Sequence, residues 1–157
     1  MQNVELNINN QFMTYAFKEA KKAYNKGEVP IGAVIVKDGK IIAKAHNLRE
    51  SKQDATAHAE MLAITKACKK LGSWRLVDCD LYVTLEPCPM CAGAIIQSRI
   101  RRLIFGATDP KAGAAGTVVN LFNTGKFNHK VEVIQGVMEN DCSQILKQFF
   151  KELRDKK

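Results

Sequence analysis

Long apolar runs are missing from this 157-residue chain: none approaches the roughly 20 residues that a helix needs to cross a bilayer. Residues 1–10 are polar, include Glu5, and lack the basic start and apolar stretch of an export signal, so a cytoplasmic location is expected. No internal repeat, linker or low-complexity tract divides the chain, and its length suits one ordinary domain. The ten N-terminal residues are expected to be a poorly ordered extension. Cysteine is sparse and odd in number, at five, and without an export signal close thiol pairs point to metal or redox chemistry rather than disulfides. Cys68 and Cys142 fall at apolar positions of predicted helices and read as core, while Cys79 precedes a strand. Acidic residues are outnumbered, 16 to 24, for a formal charge of +8. That excess suits either a polyanionic partner or a plain solvated basic surface.

Hydrophobic periodicity supplies the elements that are present. Residues 12–26 predict an amphipathic helix closed by Gly27, with Lys21, Lys22 and Lys26 at the end where cations suit the dipole. Strands follow at about 30–37 and 40–46, joined by Asp38-Gly39, a strong hairpin signal. A helix over about 58–71 should bury Ala57, Met61, Ile64, Cys68 and Leu71. A strand at 81–85 ends at Pro87, and a helix from Cys88 to about Arg99 accepts Pro89 in its first turn. In that helix Ala92, Gly93 and Ala94 would permit close approach of a neighbour. Strands at 102–106 and 131–135 flank a glycine-rich connection, and Ile145, Leu146, Phe149, Phe150 and Leu153 mark a closing helix. The order implies one α/β domain, a three-layer αβα sandwich with a five-stranded sheet.

Two short motifs carry the chemistry: His58-Ala59-Glu60 and Pro87-Cys88-Pro89-Met90-Cys91. Alone, C-x-x-C fits half of a structural zinc site or a redox pair. The first would need two more ligands, and no second C-x-x-C or H-x₃-H exists. The second would leave His58 and Glu60 idle. Together the motifs match H-x-E followed by P-C-x-x-C, the pattern of the zinc deaminases. One imidazole and two thiolates balance the charge of zinc and leave a fourth tetrahedral position for water, as catalytic sites do. His58 and Glu60 would point apart in mid-helix, so both are expected in its first turn, with Asp54 or Thr56 as cap.

Beyond the motifs, the chain resembles the bacterial tRNA-specific adenosine deaminases of the cytidine/deoxycytidylate deaminase superfamily from about residue 12 to 154. The likeness runs through Val29-Pro30-Ile31-Gly32-Ala33, His46-Asn47, Thr84 to Ala94, Asp109 to Thr117, Asn128-His129, and Phe149-Phe150 with Arg154. The resemblance implies a cytidine deaminase-like mixed sheet, one zinc ion per subunit and a homodimer. It implies conversion of adenosine to inosine at the wobble position of a tRNA anticodon, with zinc-bound hydroxide as nucleophile and Glu60 as proton shuttle. It further implies that Asn47 bonds the target base, that Glu28, Val29, Pro30 and Ile31 wall the pocket beside Ala59, and that Asp109 and Lys111 lie near the anticodon. Phe149, Phe150 and Arg154 would contact RNA, though either ring suits the core equally. Basic clusters at Arg99, Arg101, Arg102 and at Lys151, Arg154, Lys156, Lys157 are candidate phosphate contacts or ordinary solvated faces. The alternatives are deamination of a free base or nucleoside such as guanine or cytosine, and a non-catalytic zinc-stabilised RNA-binding module, which Glu60 would not serve.

Overall fold

The computed structural model describes residues 2–156; Lys157, counted above in a basic cluster, lies outside them. Helix α1 (Gln2–Asn25) leads into strands β1 (Gly32–Lys37) and β2 (Lys40–His46), then a short helix α2 (Arg49–Lys52) and helix α3 (Ala59–Leu71). Strand β3 (Cys79–Leu85), helix α4 (Pro89–Gln97), strands β4 (Arg102–Ala107) and β5 (Glu132–Ile134), and helix α5 (Glu139–Asp155) complete the chain. The sheet order is β2-β1-β3-β4-β5. Strand β1 runs antiparallel to both neighbours, whereas β3, β4 and β5 are parallel, so the sheet is mixed.

Both faces of this sheet are covered, and the side-chain period of two sorts its residues between them. Ala33, Ile35, Leu81, Val83, Leu103 and Phe105 pack with residues of α3 and α4. The alternate positions, including Val34, Val36, Tyr82 and Ile104, meet Met13 and Ala16 of α1 and Cys142 of α5. The αβα sandwich therefore follows from central strands that carry apolar residues on both faces, with polar ones such as Lys37, Asp80 and Arg102 near their ends. Helix α1 lies so close to β1 that a methyl group on Gly32 would overlap the Ala16 carbonyl and the Ala20 amide. At the β1–β2 turn Asp38 and Gly39 both take the left-handed conformation (φ 52° and 74°), which matches the strand twist of a tight hairpin.

Four expectations need correction. The first helix begins at Gln2, not near residue 12, and residues 2–10 are part of it: the Tyr82 hydroxyl donates to Asn9 Oδ1 at 2.8 Å, and Arg102 pairs with Glu5. In α3 the stripe against the sheet is Ala59, Ala63 and Ala67, while Met61, Ile64, Cys68 and Leu71 are only half-buried. Small side chains let the helix axis approach the strands, and the larger ones fill the flanks. Cys142 is fully buried, whereas Cys68 sits at that flank. Ala92 is buried, but Gly93 faces open space and makes no close approach within the chain.

Candidate active site

One end of the sheet gathers the site, because β1 starts, β2 ends and β3 and β4 end there. His58 is the N-cap of α3 and Cys88 the N-cap of α4, both with extended backbone (ψ 152° and 172°). Cys91 follows one turn into α4. Neither side chain caps its helix, because the imidazole and both thiols turn towards one another. His58 Nδ1 lies 3.6 Å from Cys88 Sγ and 3.4 Å from Cys91 Sγ. The expected caps are engaged elsewhere: Asp54 Oδ1 accepts from the Thr56 amide at 2.8 Å and hydroxyl at 2.7 Å.

This triad fits zinc. The three donor atoms lie within 4.8 Å of one another. Bond lengths of about 2.3 Å to sulfur and 2.0 Å to nitrogen at a tetrahedral angle place N and S about 3.5 Å apart, close to the separations here. Both sulfurs sit in the first turn of α4, where the dipole and unpaired amides favour anions. A hydrogen bond from Cys91, then one from His58, draws the Cys88 thiol down to about 4, a thiolate at neutral pH. The same bond, with burial, pushes Cys91 up, and the bond to Cys88 raises His58. The cluster thus holds a proton that a cation would displace.

Glu60 occupies the second position of α3 and is 4% exposed. Burial lifts its carboxyl to about 7, where it exchanges protons readily at neutral pH. His58, Glu60 and Cys88 line a cavity of about 690 Å³. Val29, Ile31, Asn47, Asp109 and Lys111 line it too, as do Phe150 and Arg154 from α5. Asn47 is buried, giving one amide N–H to the Val29 carbonyl (3.3 Å) and accepting from the Arg49 amide (3.2 Å).

Other predicted residues lie elsewhere. Pro30 and Ala59 are buried outside the cavity lining. Glu28 is buried behind it, accepting from the amides of Glu50 (3.0 Å) and Ser51 (2.6 Å). Phe149, 9% exposed, turns inward onto Tyr24, while Phe150 is 41% exposed at the cavity. Arg101 and Arg102 are committed to Asp80 at 2.8–3.0 Å, and Arg99 lies over the Trp74 ring, so that cluster is structural. His129 bonds the Ile100 carbonyl. Sequence reasoning passed over Arg49, Glu86 and Lys147, which also line the cavity. Glu86, two residues before Cys88 in the quoted Thr84–Ala94 stretch, was the one with a signal in the sequence.

A fold of this topology with a His/Cys/Cys cluster and a buried glutamate at its floor defines the class of nucleobase-type deaminases. Comparison with known proteins agrees. The sequence model of the MafB19-like deaminase family matches residues 7–154. A tRNA-specific adenosine deaminase of Bacillus subtilis (strain 168) is 60% identical over 146 residues, covering 93% of this chain and 91% of that one. A structure from work on A-to-I editing by tRNA:A34 deaminases at the wobble position of transfer RNA superposes with a TM-score of 0.84 at 48% identity, over 87% of this chain and 99% of that one. A guanine deaminase from Nitrosomonas europaea superposes at 0.78 with 26% identity, over 89% and 83%. The chain belongs to the deaminase family, within its tRNA-specific adenosine deaminase branch.

Proposed function

We propose that this protein hydrolyses adenosine to inosine at the wobble position of a tRNA anticodon, working in the cytoplasm. The observation that carries the reading is a buried Glu60 beside the His58–Cys88–Cys91 cluster, on the floor of a cavity whose lining includes Arg49, Lys111, Lys147 and Arg154. Zinc bound by His58, Cys88 and Cys91 would supply a Lewis acid that makes water nucleophilic at neutral pH. Glu60 takes one proton from the attacking water and delivers it to the purine ring nitrogen, then takes the remaining hydroxyl proton and delivers it to the departing amine. A C–O bond forms, the C–N bond breaks, and ammonia leaves. Asn47 would bond the base with its remaining amide capacity, and Val29 and Ile31 would give it apolar contact. Asp109, Lys111, Phe150 and Arg154 would meet flanking nucleotides.

The second reading, deamination of a free base, is favoured by the likeness to guanine deaminase. The four cations of the lining argue for the first, since a free base offers no phosphate for them. Incubation with an anticodon stem-loop carrying wobble adenosine, read as inosine, decides. Inosine supports the tRNA reading; rapid turnover of guanine or cytosine with no inosine overturns it. Glu60→Gln should keep zinc and lose at least about 10²-fold in rate. A rate near wild type in that variant would refute the proton-carrying role.

A further inference from the structure

Glu86 lines the cavity two residues from Cys88, yet its carboxylate is spent on the chain itself. It is 2% exposed. Oε1 accepts from the Asp109 amide at 3.0 Å and the Thr117 hydroxyl at 2.5 Å. Oε2 accepts from the amides of Ala115 at 2.9 Å and Thr117 at 3.2 Å. Two further bonds tie the same segment of chain: the Glu86 amide donates to the Ala107 carbonyl, and the Ala114 amide to the Pro87 carbonyl, each at 2.8 Å. The loop closes on the carboxylate so tightly that a methyl group on Gly113 would overlap its Cδ and Oε1. Thr108, Asp109, Pro110, Lys111 and Ala112, at the near end of this loop, form one wall of the cavity.

We propose that Glu86 is a positioning residue: its carboxylate holds residues 108–117 as the substrate-facing wall and thereby sets the affinity for RNA, leaving metal and proton chemistry to the cluster beside it. Four donors converge on two oxygens, two apiece, and no other side chain offers that acceptor capacity at this length. Glutamine, although isosteric, has one carbonyl oxygen. Its NH₂ would face two donors in either orientation, so two bonds are lost and a repulsive contact replaces them. Aspartate keeps the charge but stops one methylene short.

The kinetic part of this proposal rests on the tRNA reading; the structural part does not. The test uses the zinc-loaded full chain as wild type, Glu86→Gln, Gly113→Ala and Thr117→Val. Zinc content, kcat and KM on the anticodon stem-loop, and hydrogen exchange at the Asp109, Ala115 and Thr117 amides are measured. Zinc content should be unchanged in all variants. In Glu86→Gln and Gly113→Ala, exchange at those amides should accelerate and KM rise, each by about tenfold or more, with kcat within about threefold. Thr117→Val, on an exposed residue and removing only the hydroxyl donor, should move the same quantities less and carries the test if a stronger variant fails to fold. Unchanged exchange overturns the proposal, as does loss of zinc or a fall in kcat at constant KM, because Glu86 would then act through Cys88. A wild type that forms no inosine refutes the tRNA reading, while exchange still judges the carboxylate's hold on the loop.

Discussion

At the residue scale, buried carboxylates in this protein do opposite things according to what surrounds them. In Glu60 burial outweighs the hydrogen bond from its own amide and the nearby His58, and its proton affinity rises. Glu28 is also buried, which by itself would raise it, but the Ser51 hydroxyl and the amides of Ser51 and Glu50 outweigh that and leave it lowered. A carboxyl lowered in the folded state stabilises the fold above its unfolded range, near 4.3, and that contribution disappears as pH falls through the folded value. Glu28→Gln should therefore cost about 1–3 kcal/mol at pH 7 and progressively less as pH falls below the unfolded carboxylate range near 4.3; urea titrations at neutral and at acidic pH would show it, and an equal cost at both would contradict the assignment. Residue roles were legible where a fixed spacing tied them to chemistry, as for His58, Glu60, Cys88 and Cys91. They were not legible in Glu28-Val29-Pro30-Ile31, where only Val29 and Ile31 reach the cavity. Sequence adjacency cannot tell which side of an irregular segment faces a site.

Among the elements, α5 shows how two neighbouring residues of one type divide their work. Phe149 completes the interior against Tyr24, and Phe150 stands over the cavity. Phe149→Ala should destabilise the fold by about 3–5 kcal/mol. Phe150→Ala should leave the melting temperature nearly unchanged and weaken RNA binding, by about 1–3 kcal/mol if the ring stacks on a base. Thermal unfolding alongside RNA titration separates the pair, and a reversed pattern would exchange their roles. The sequence pattern located this helix through its apolar spacing but could not divide the rings, since adjacent residues lie about 100° apart on a helix and either could face inward. The start of α1 was missed for a different reason. Asn3, Asn7, Asn9 and Asn10 are poor helix formers, and what holds that turn is tertiary: the Tyr82 hydroxyl on Asn9.

For the whole molecule, the surplus of positive charge takes on direction. Arg101 and Arg102 share Asp80, and Arg102 also meets Glu5, whereas Arg49, Lys111, Lys147 and Arg154 surround the cavity. If these four meet phosphates of a single-stranded loop, log K should fall with log salt at a slope of roughly −2 to −3. A flat response measured by anisotropy would sink a phosphate-led interface. The homodimer implied by the family resemblance predicts a solution mass twice the 17.5 kDa chain, and light scattering at the monomer mass would exclude it. The β1–β2 hairpin has a practical consequence. Its Asp38-Gly39 tip stands at the end of the sheet opposite the site, about 20 Å away along the six residues of β1. Exposed at both residues, as tolerated insertion sites are, it offers a place for a fluorophore, an affinity tag or a whole inserted domain, so that substrate capture could be watched or directed without disturbing the chemistry.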